Sequence, residues 1–329
     1  LGDRFTNQAS LMIGVSLFLV GLSYFAVGYA SSYWIMFVAM LFVGIGPAMS
    51  HPPAIGALSR RFPDRRGFAL SLHGTGGSVG EVLGPLVTAG VLTVLVWQDV
   101  LKLSLFPALI TALAVWGMMR SVPGVVLGTA SNSSYLVSLV TLIKKRAMML
   151  MILVTVLRSM GQNAVMIFLP VYLREDLEYS AARVALYLSM GQVVGIGAQP
   201  LMGFLSDRVG RKMVLLPALL FLGLLYMALA LVEPGPQLIL TILAMGAFTY
   251  SLHSLFMATA IDIGGEELQS TMVSVIYSAG FLGTISSIFA GIIVDSFGSG
   301  GAFLYSGAVV LMSGAIFGLM KLPRTRTWV

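Results

Sequence analysis

The chain has 329 residues, of which 57% are hydrophobic and 10% charged, with 19 Lys and Arg, 13 Asp and Glu, and no cysteine. A soluble domain carries roughly 25% charged residues, so this chain has too little charge to cover a water-facing globule; disorder, collagen-like repeats and a disulfide scaffold are excluded by the same numbers. The formal net charge of +6 would suit nucleic acid only if the bases were clustered. They are scattered over short loops, so no nucleic-acid partner is expected.

A helix needs about 20 apolar residues to cross the hydrocarbon core. Such runs occur at roughly 10–30, 33–58, 66–96, 99–120, 146–173, 180–205, 213–232, 236–261, 269–294 and 301–321. No period-2 alternation runs through them, so the expected class is an all-α membrane protein with ten spans. The bases take sides. Arg4, Arg60, Arg61, Arg65, Arg66, Arg120, Lys144, Lys145, Arg146, Arg208, Arg211, Lys212, Lys321, Arg324 and Arg326 fall on one side. Lys102, Arg174 and Arg183 fall on the other, and Arg158 lies within a span. By the positive-inside rule both termini are expected in the cytoplasm, in a multi-pass cytoplasmic (inner) membrane protein.

The chain repeats itself. Asp3-Arg4 recurs as Asp207-Arg208, 204 residues on; Asp64 answers Glu267, and Gly77 and Gly80 answer Gly280 and Gly283, at 203; His51 has a near-counterpart in His253. A constant offset across several helices indicates two parallel halves. The second half has two spans before its Asp-Arg and the first has none, so two further helices are expected upstream. The expected division is 1–120 as a first half of four spans, 121–145 as a cytoplasmic linker, 146–322 as a second half of six spans, and 323–329 as a cytoplasmic tail. Within the linker, the apolar stretch after Tyr135 and its Lys144-Lys145-Arg146 end should lie on the inner leaflet.

The loop Gly203-Phe-Leu-Ser-Asp207-Arg208-Val-Gly210-Arg211-Lys212 joins two spans. It resembles the G-x-x-x-D-R-x-G-R-[RK] loop of the major facilitator superfamily, and the resemblance extends to Phe168-Leu-Pro-Val-Tyr-Leu-Arg-Glu and to the offset of the halves. It implies a twelve-helix bundle with two pseudo-symmetric halves, of which ten spans are present, working as a secondary transporter by alternating access. It also implies a latch: Asp207 would face the start of the 66–96 span, and Asp3, with Arg4, the start of the 269–294 span, while Gly203, Arg208, Gly210 and Arg211 shape and pin the loop. In the first copy Thr6 and Asn7 replace the expected Gly and Arg. The residues allow a physical basis as well, since a helix N-terminus favours an anion and a tight turn favours glycine. A charged turn that only fixes topology is the alternative.

The 66–96 span contains Gly76-Gly-Ser-Val-Gly80-Glu-Val-Leu-Gly84-Pro85. Gly76, Gly80 and Gly84 form a flat ridge for close helix packing, with Gly191 and Gly195 as a matching face, and Pro85 can bend the helix. Gly80-x-x-x-Gly84-Pro85 also resembles the superfamily's antiporter-associated motif, without its closing Gly-Gly pair. Together with His51-Pro52 this is similar to fosmidomycin-resistance-type efflux proteins. Gly76-Gly-Ser78-Val-Gly80 matches a G-x-S-x-G nucleophile elbow, but that motif belongs between a strand and a helix; an intramembrane serine hydrolase is therefore a remote alternative, and no enzyme, metal site or cofactor is expected.

Ionisable groups within spans are costly and invite a functional reading. Arg158 lies about 18 Å from its cytoplasmic helix end at 1.5 Å per residue, at the midplane. The resemblance places its span, and those of His51 and His253, among the cavity-lining helices. Gln162, one turn on, and Asn163 beside it add amides, and Tyr250 lies near His253. The expected substrate is a small organic anion or amphipathic drug held by Arg158, Gln162, Asn163, His51, His253 and Tyr250; the alternative for Arg158 is a structural pair with Glu81. Glu81, on one face with Gly77 and His73, is a candidate proton carrier with His73, or else a buried carboxyl satisfied by Gln192 or Gln199. The partners so implied are the lipid bilayer, a small molecule and protons, with the chain a monomer and efflux favoured. A transport-incompetent sensor or assembly partner is the second reading.

Overall fold

The computed structural model describes residues 9–119, 132–265 and 268–322. Asp3, Arg4, Arg120, Glu267, Arg324 and Arg326, most of the proposed linker's first half and the proposed tail lie outside them. α1 (Ala9–Gly28) and α2 (Tyr33–Arg61) form a hairpin, with the Ser32 hydroxyl accepting from Ile35 N at the start of α2. α2 passes through Pro47, Pro52 and Pro53 as one helix. Ser16 of α1 and Ser50 both donate to Gly46 O, which ties α1 to α2 there.

α3 (Arg66–Val91) follows, then α4 (Trp97–Leu103) and α5 (Leu105–Met119), which together make one crossing. α6 (Asn132–Ile143) is short. α7 (Arg146–Val171) ends in a π-helical turn at Tyr172–Asp176. α8 (Ala181–Val209), α9 (Arg211–Ala228), α10 (Pro236–Gly264), α11 (Gln269–Leu282) and α12 (Ser286–Leu319) complete the bundle, a 3-10 turn joining the last two.

Among the described residues, eight helical stretches are long and apolar enough to cross a membrane, against the ten expected. Two physical facts account for the difference. α3 carries Arg66, His73, Glu81 and many glycines, which dilute its apolar character. The stretch Gln269–Leu319 is continuous, yet Gly298 sits at φ +70°, where glycine alone is comfortable. Past that point the chain doubles back: Ser286 Oγ and Tyr305 OH lie 3.1 Å apart, and Ala290 and Ala302 share one cluster with Ala164. This stretch therefore supplies two passes.

The helices pack through small residues, as expected where lipid removes most of the hydrophobic drive for association. α8 and α10 approach so closely that a Cβ on Gly246 would fall 2.5 Å from Gly191 C. Gly223 and Gly307 do the same for α9 and α12, and Gly161 for α7 and α12. The large buried side chains, among them Tyr226, Phe256, Phe303, Phe317, Met148 and Met151, all lie in α7–α12. α1 packs on α2 and α5; α3 lies against α8 and α10, and α11 against α2.

The glycine ridge of α3 differs from expectation. A Cβ on Gly76, Gly80 or Gly84 would meet nothing within 4 Å, and Gly191 and Gly195 face Ile242, Gly246 and Tyr250 of α10. The face of α3 that meets α8 is instead Gly67, Ser71, Gly74 and Ser78, which recur three and four apart and point away from the Gly76 line. Leu83, Leu86 and Val87, beside Pro85, are exposed.

Replacing Gly246 by Ala should therefore destabilise the protein by about 1–3 kcal/mol, read as a lower melting temperature in detergent. Gly76→Ala should leave that temperature unchanged or raise it, because the added methyl enters open space and alanine is the better helix former.

Candidate functional site

Two polar assemblies stand out, one at the basic end of the helices and one at mid-depth. The first is built around the loop between α8 and α9. Gly210 has φ +97°, which turns the chain sharply from one helix into the next. Asp207, one turn earlier and 5% exposed, reaches out of α8 to the N-terminus of α3: Oδ1 accepts from Gly67 N and Oδ2 from Phe68 N, both at 2.8 Å. Those amides have no partner within their own helix, and the macrodipole there favours a carboxylate. The approach depends on two glycines. A Cβ on Gly203 would stand 2.5 Å from Gly67 O, and one on Gly67 would strike Asp207 and Arg211.

The charge is then relayed. Arg211 Nη1 lies 2.6 Å from Asp207 Oδ1 and donates to Ser206 Oγ, while its Nε donates at 2.9 Å to Asp262 Oδ2 on α10. The other oxygen of Asp262 accepts from Arg66 Nη1 on α3. Two acids and two bases thus alternate across α8, α9, α10 and α3 and largely neutralise one another. Arg208 is exposed, its guanidinium carbon 5.1 Å from the Phe204 ring centroid. Lys212 donates to Gly318 O and Met320 O and so closes the end of α12. Asp262 and Arg66 had no motif to announce them as partners; the only signal was a carboxylate at the basic end of an apolar run.

The second assembly surrounds Arg158. This side chain is 3% exposed and lies between α7 and α10, where Nη2 donates to Thr249 O at 2.7 Å. Its guanidinium carbon is 5.7 Å from the Phe256 ring centroid. Thr249, His253 and Phe256 follow one face of α10, and Tyr226 of α9 meets Thr249 from behind, 3.2 Å from its Oγ1. Nε has no partner, and among the described residues no carboxylate pairs with this cation. The alternative of a pair with Glu81 is not realised: Glu81 is exposed, and its Oε2 accepts from Gln192 Nε2 of α8 at 3.0 Å.

The three histidines meet around a residue that the sequence did not single out. Tyr277 of α11 stacks on His51 of α2 (centroids 5.7 Å, 28°) and lies edge-on to His253 of α10 (5.2 Å, 60°). His51 in turn lies 6.2 Å from His73 of α3, nearly perpendicular. Tyr277 stands three residues before Gly280, much as His73 stands four before Gly77, and that near-symmetry was the one available clue. Gln162 and Asn163 are half-buried on α7; Asn163 Nδ2 is spent on Ser159 O of its own helix. Tyr250 packs on Gly195. Ser78, the residue of the apparent nucleophile motif, is buried in mid-helix and accepts from Gln199 Nε2 at 2.7 Å, so it has none of the exposure a nucleophile elbow supplies.

The family model described as Major Facilitator Superfamily matches residues 1–287, with a second match over 151–329. An uncharacterised MFS-type transporter of Bacillus subtilis (strain 168), YfnC, is 24% identical over 307 residues, covering 90% of this chain and 73% of that protein. The multidrug resistance protein MdtG of Escherichia coli is 24% identical over 341 residues, covering 99% of this chain and 80% of that one. Among solved structures, the Escherichia coli fucose:proton symporter FucP superposes with a TM-score of 0.76 at 16% identity, covering 96% of this chain and 86% of that chain.

The docking of Asp207 on α3 carries a direct expectation. A charge-assisted hydrogen bond is worth about 1.5–3 kcal/mol, so in Asp207→Asn the amides of Gly67 and Phe68 should exchange with deuterium about 10- to 100-fold faster. Amides in the interior of α12 should keep their rate.

Proposed function

Because this chain belongs to the major facilitator superfamily, a family of membrane transporters rather than enzymes, we propose that it moves a small organic anion or an amphipathic drug carrying an anionic group, by alternating access in an inner membrane. The observation that carries this reading is Arg158: a buried guanidinium at mid-depth that donates to Thr249 O and has, among the described residues, no acid beside it. A cation in a low-dielectric site without a counter-charge is expensive. A transient anionic ligand removes that cost while it is bound. Gln162, Asn163, His253, Tyr250 and His51 supply further polar contacts around it, and Glu81 with His73 carries the coupling proton. The bound anion competes with Thr249 O for the guanidinium, so binding is linked to a shift between α7 and α10.

The helix contacts support a particular state. The two groups of helices are joined at the basic end by Asp207 on α3 and by Gly56 of α2 against Ser270 of α11. Glu81–Gln192 lies about 21 Å farther along α3 from Gly67, at 1.5 Å per residue, and beyond it Leu83, Leu86 and Val87 are exposed. With the basic end in the cytoplasm, the molecule is closed inward and open outward. The halves 1–120 and 146–322 then rock about mid-depth, joined by the 121–145 linker, and the Asp207 latch holds this state. Export in exchange for protons is favoured by the antiporter-like Gly80-x-x-x-Gly84-Pro85 and by the relative named as a multidrug resistance protein. One chain supplies both halves, so a monomer suffices.

In proteoliposomes, flux of an organic-anion substrate driven by a pH gradient should fall about 10- to 100-fold in Arg158→Ala, the loss of one charge-assisted contact, with Arg158→Lys intermediate. Glu81→Gln should abolish the response to the gradient while sparing substrate exchange. Undiminished flux in Arg158→Ala would overturn the anion reading.

A further inference from the structure

The residues between Arg158 and the basic end form a column of ring contacts at neighbouring depths. Counted at 1.5 Å per residue from the helix ends on that side, His73 lies about 10 Å in, Tyr277 about 12 Å, His51 about 15 Å, His253 about 16 Å and Arg158 about 18 Å. The rings are in mutual contact throughout: His73 on His51, His51 on Tyr277, Tyr277 on His253. They come from α3, α2, α11 and α10, so the column crosses from one group of helices to the other at Tyr277, and it contains every histidine of the chain. Stacked rings join the groups here, whereas the carboxylate network joins them at the helix ends.

We propose that the His73–His51–Tyr277–His253 column takes up protons in addition to Glu81 and is, at the same time, the seal between Arg158 and the cytoplasmic side. Neutral imidazoles stack on the phenol and keep the two groups of helices together. A proton taken from water onto a ring nitrogen of His73 or His51 leaves its partner, 6.2 Å away, able to charge only against repulsion. On the far side of Tyr277, His253 already faces the fixed charge of Arg158. The column therefore cannot charge along its length while it stays stacked, and proton uptake favours its parting. The ionisable groups that face it are few. α2 contributes His51; α3 His73, with Glu81 two turns farther out; α7 Arg158; α9 Tyr226; α10 His253 and Tyr250; α11 Tyr277. α8 presents the amides Gln192 and Gln199 at this level. Imidazole is the group in this set that ordinarily changes charge between about pH 5 and 8. The inference rests on the alternating-access reading above and is independent of which substrate is carried.

Because the chain has no cysteine, two introduced thiols can report the basic end without background. Phe62 and Met213 are both exposed there, on the two groups of helices. With spin labels at Phe62→Cys and Met213→Cys, in nanodiscs without substrate, the population at longer distance should rise roughly fivefold or more between about pH 8 and about pH 5.5. In the His51→Gln/His73→Gln background the distances should no longer follow pH, whereas Tyr277→Phe, which keeps the ring, should preserve the response. Should the double variant fail to fold, His73→Gln alone, at an exposed ring, should at least halve the response. Distances that ignore pH in the parent chain, or that follow it equally without the histidines, would overturn the proposal while leaving the Arg158 flux result standing. Undiminished flux in Arg158→Ala would remove the anion reading and leave this one.

Discussion

The fold turns on a carboxylate meeting the end of a helix in the other half of the molecule. Asp207 satisfies two amides that α3 cannot satisfy for itself, and it does so in a place where water is scarce and the helix dipole is poorly screened. Everything nearby serves that contact. Gly203 and Gly67 let the backbones approach, Gly210 turns the chain immediately afterwards, and Arg211 divides its donors between Asp207 and Asp262. Each bond is modest, and all can be broken together by a small separation of α3 from α8. This interface shares close glycine contacts with the packing of α8 on α10 and of α9 on α12, and differs from them in its ionic hydrogen bonds.

That contrast runs through the whole molecule. Within α7–α12, large side chains are fully buried and glycines bring backbones into direct contact. Between α3 and α8 the close approach of Gly203 to Gly67 is joined by hydrogen bonds from side chains: Asp207 at one end, Gln199 to Ser78 in the middle, Gln192 to Glu81 farther out. Polar contacts exchange readily for water, and apolar packing does not. An interface made of them can open to water at little cost. The ring column likewise joins the two groups of helices, at His51 on Tyr277.

Much of the site was legible because certain residue types are too costly in a membrane to occur idly. Arg158, Glu81 and the three histidines were visible for that reason, and the glycines at 203 and 210 were visible because a tight turn and a close approach leave few alternatives. The misreadings have physical causes as well. Gly76, Gly80 and Gly84 form a conspicuous four-residue ridge, yet Gly67, Ser71, Gly74 and Ser78 carry the interface; a helix with small residues on several faces does not declare which one is used. Arg158 and Glu81 were plausible partners by charge, and their separation onto different polar contacts depends on which helix lies between them. Tyr277 gave almost no signal, since one tyrosine in an apolar helix is unremarkable until its neighbours are known.

The amino-acid sequence by itself determined that the chain lives in a bilayer, where most of its crossings lie and which ends carry the bases. These follow from local composition: a bilayer has a fixed thickness and charges resist crossing it, so each span can be read without reference to any other. The tertiary structure decided what one span cannot specify. It brought Asp262 and Arg66 into the charge relay, left the α3 glycine ridge uncovered, denied Arg158 an acid and gathered the histidines of three helices around Tyr277. Those outcomes depend on how helices rotate and approach one another, and in lipid that is settled by the fit of small residues and the pairing of polar groups across distant parts of the chain.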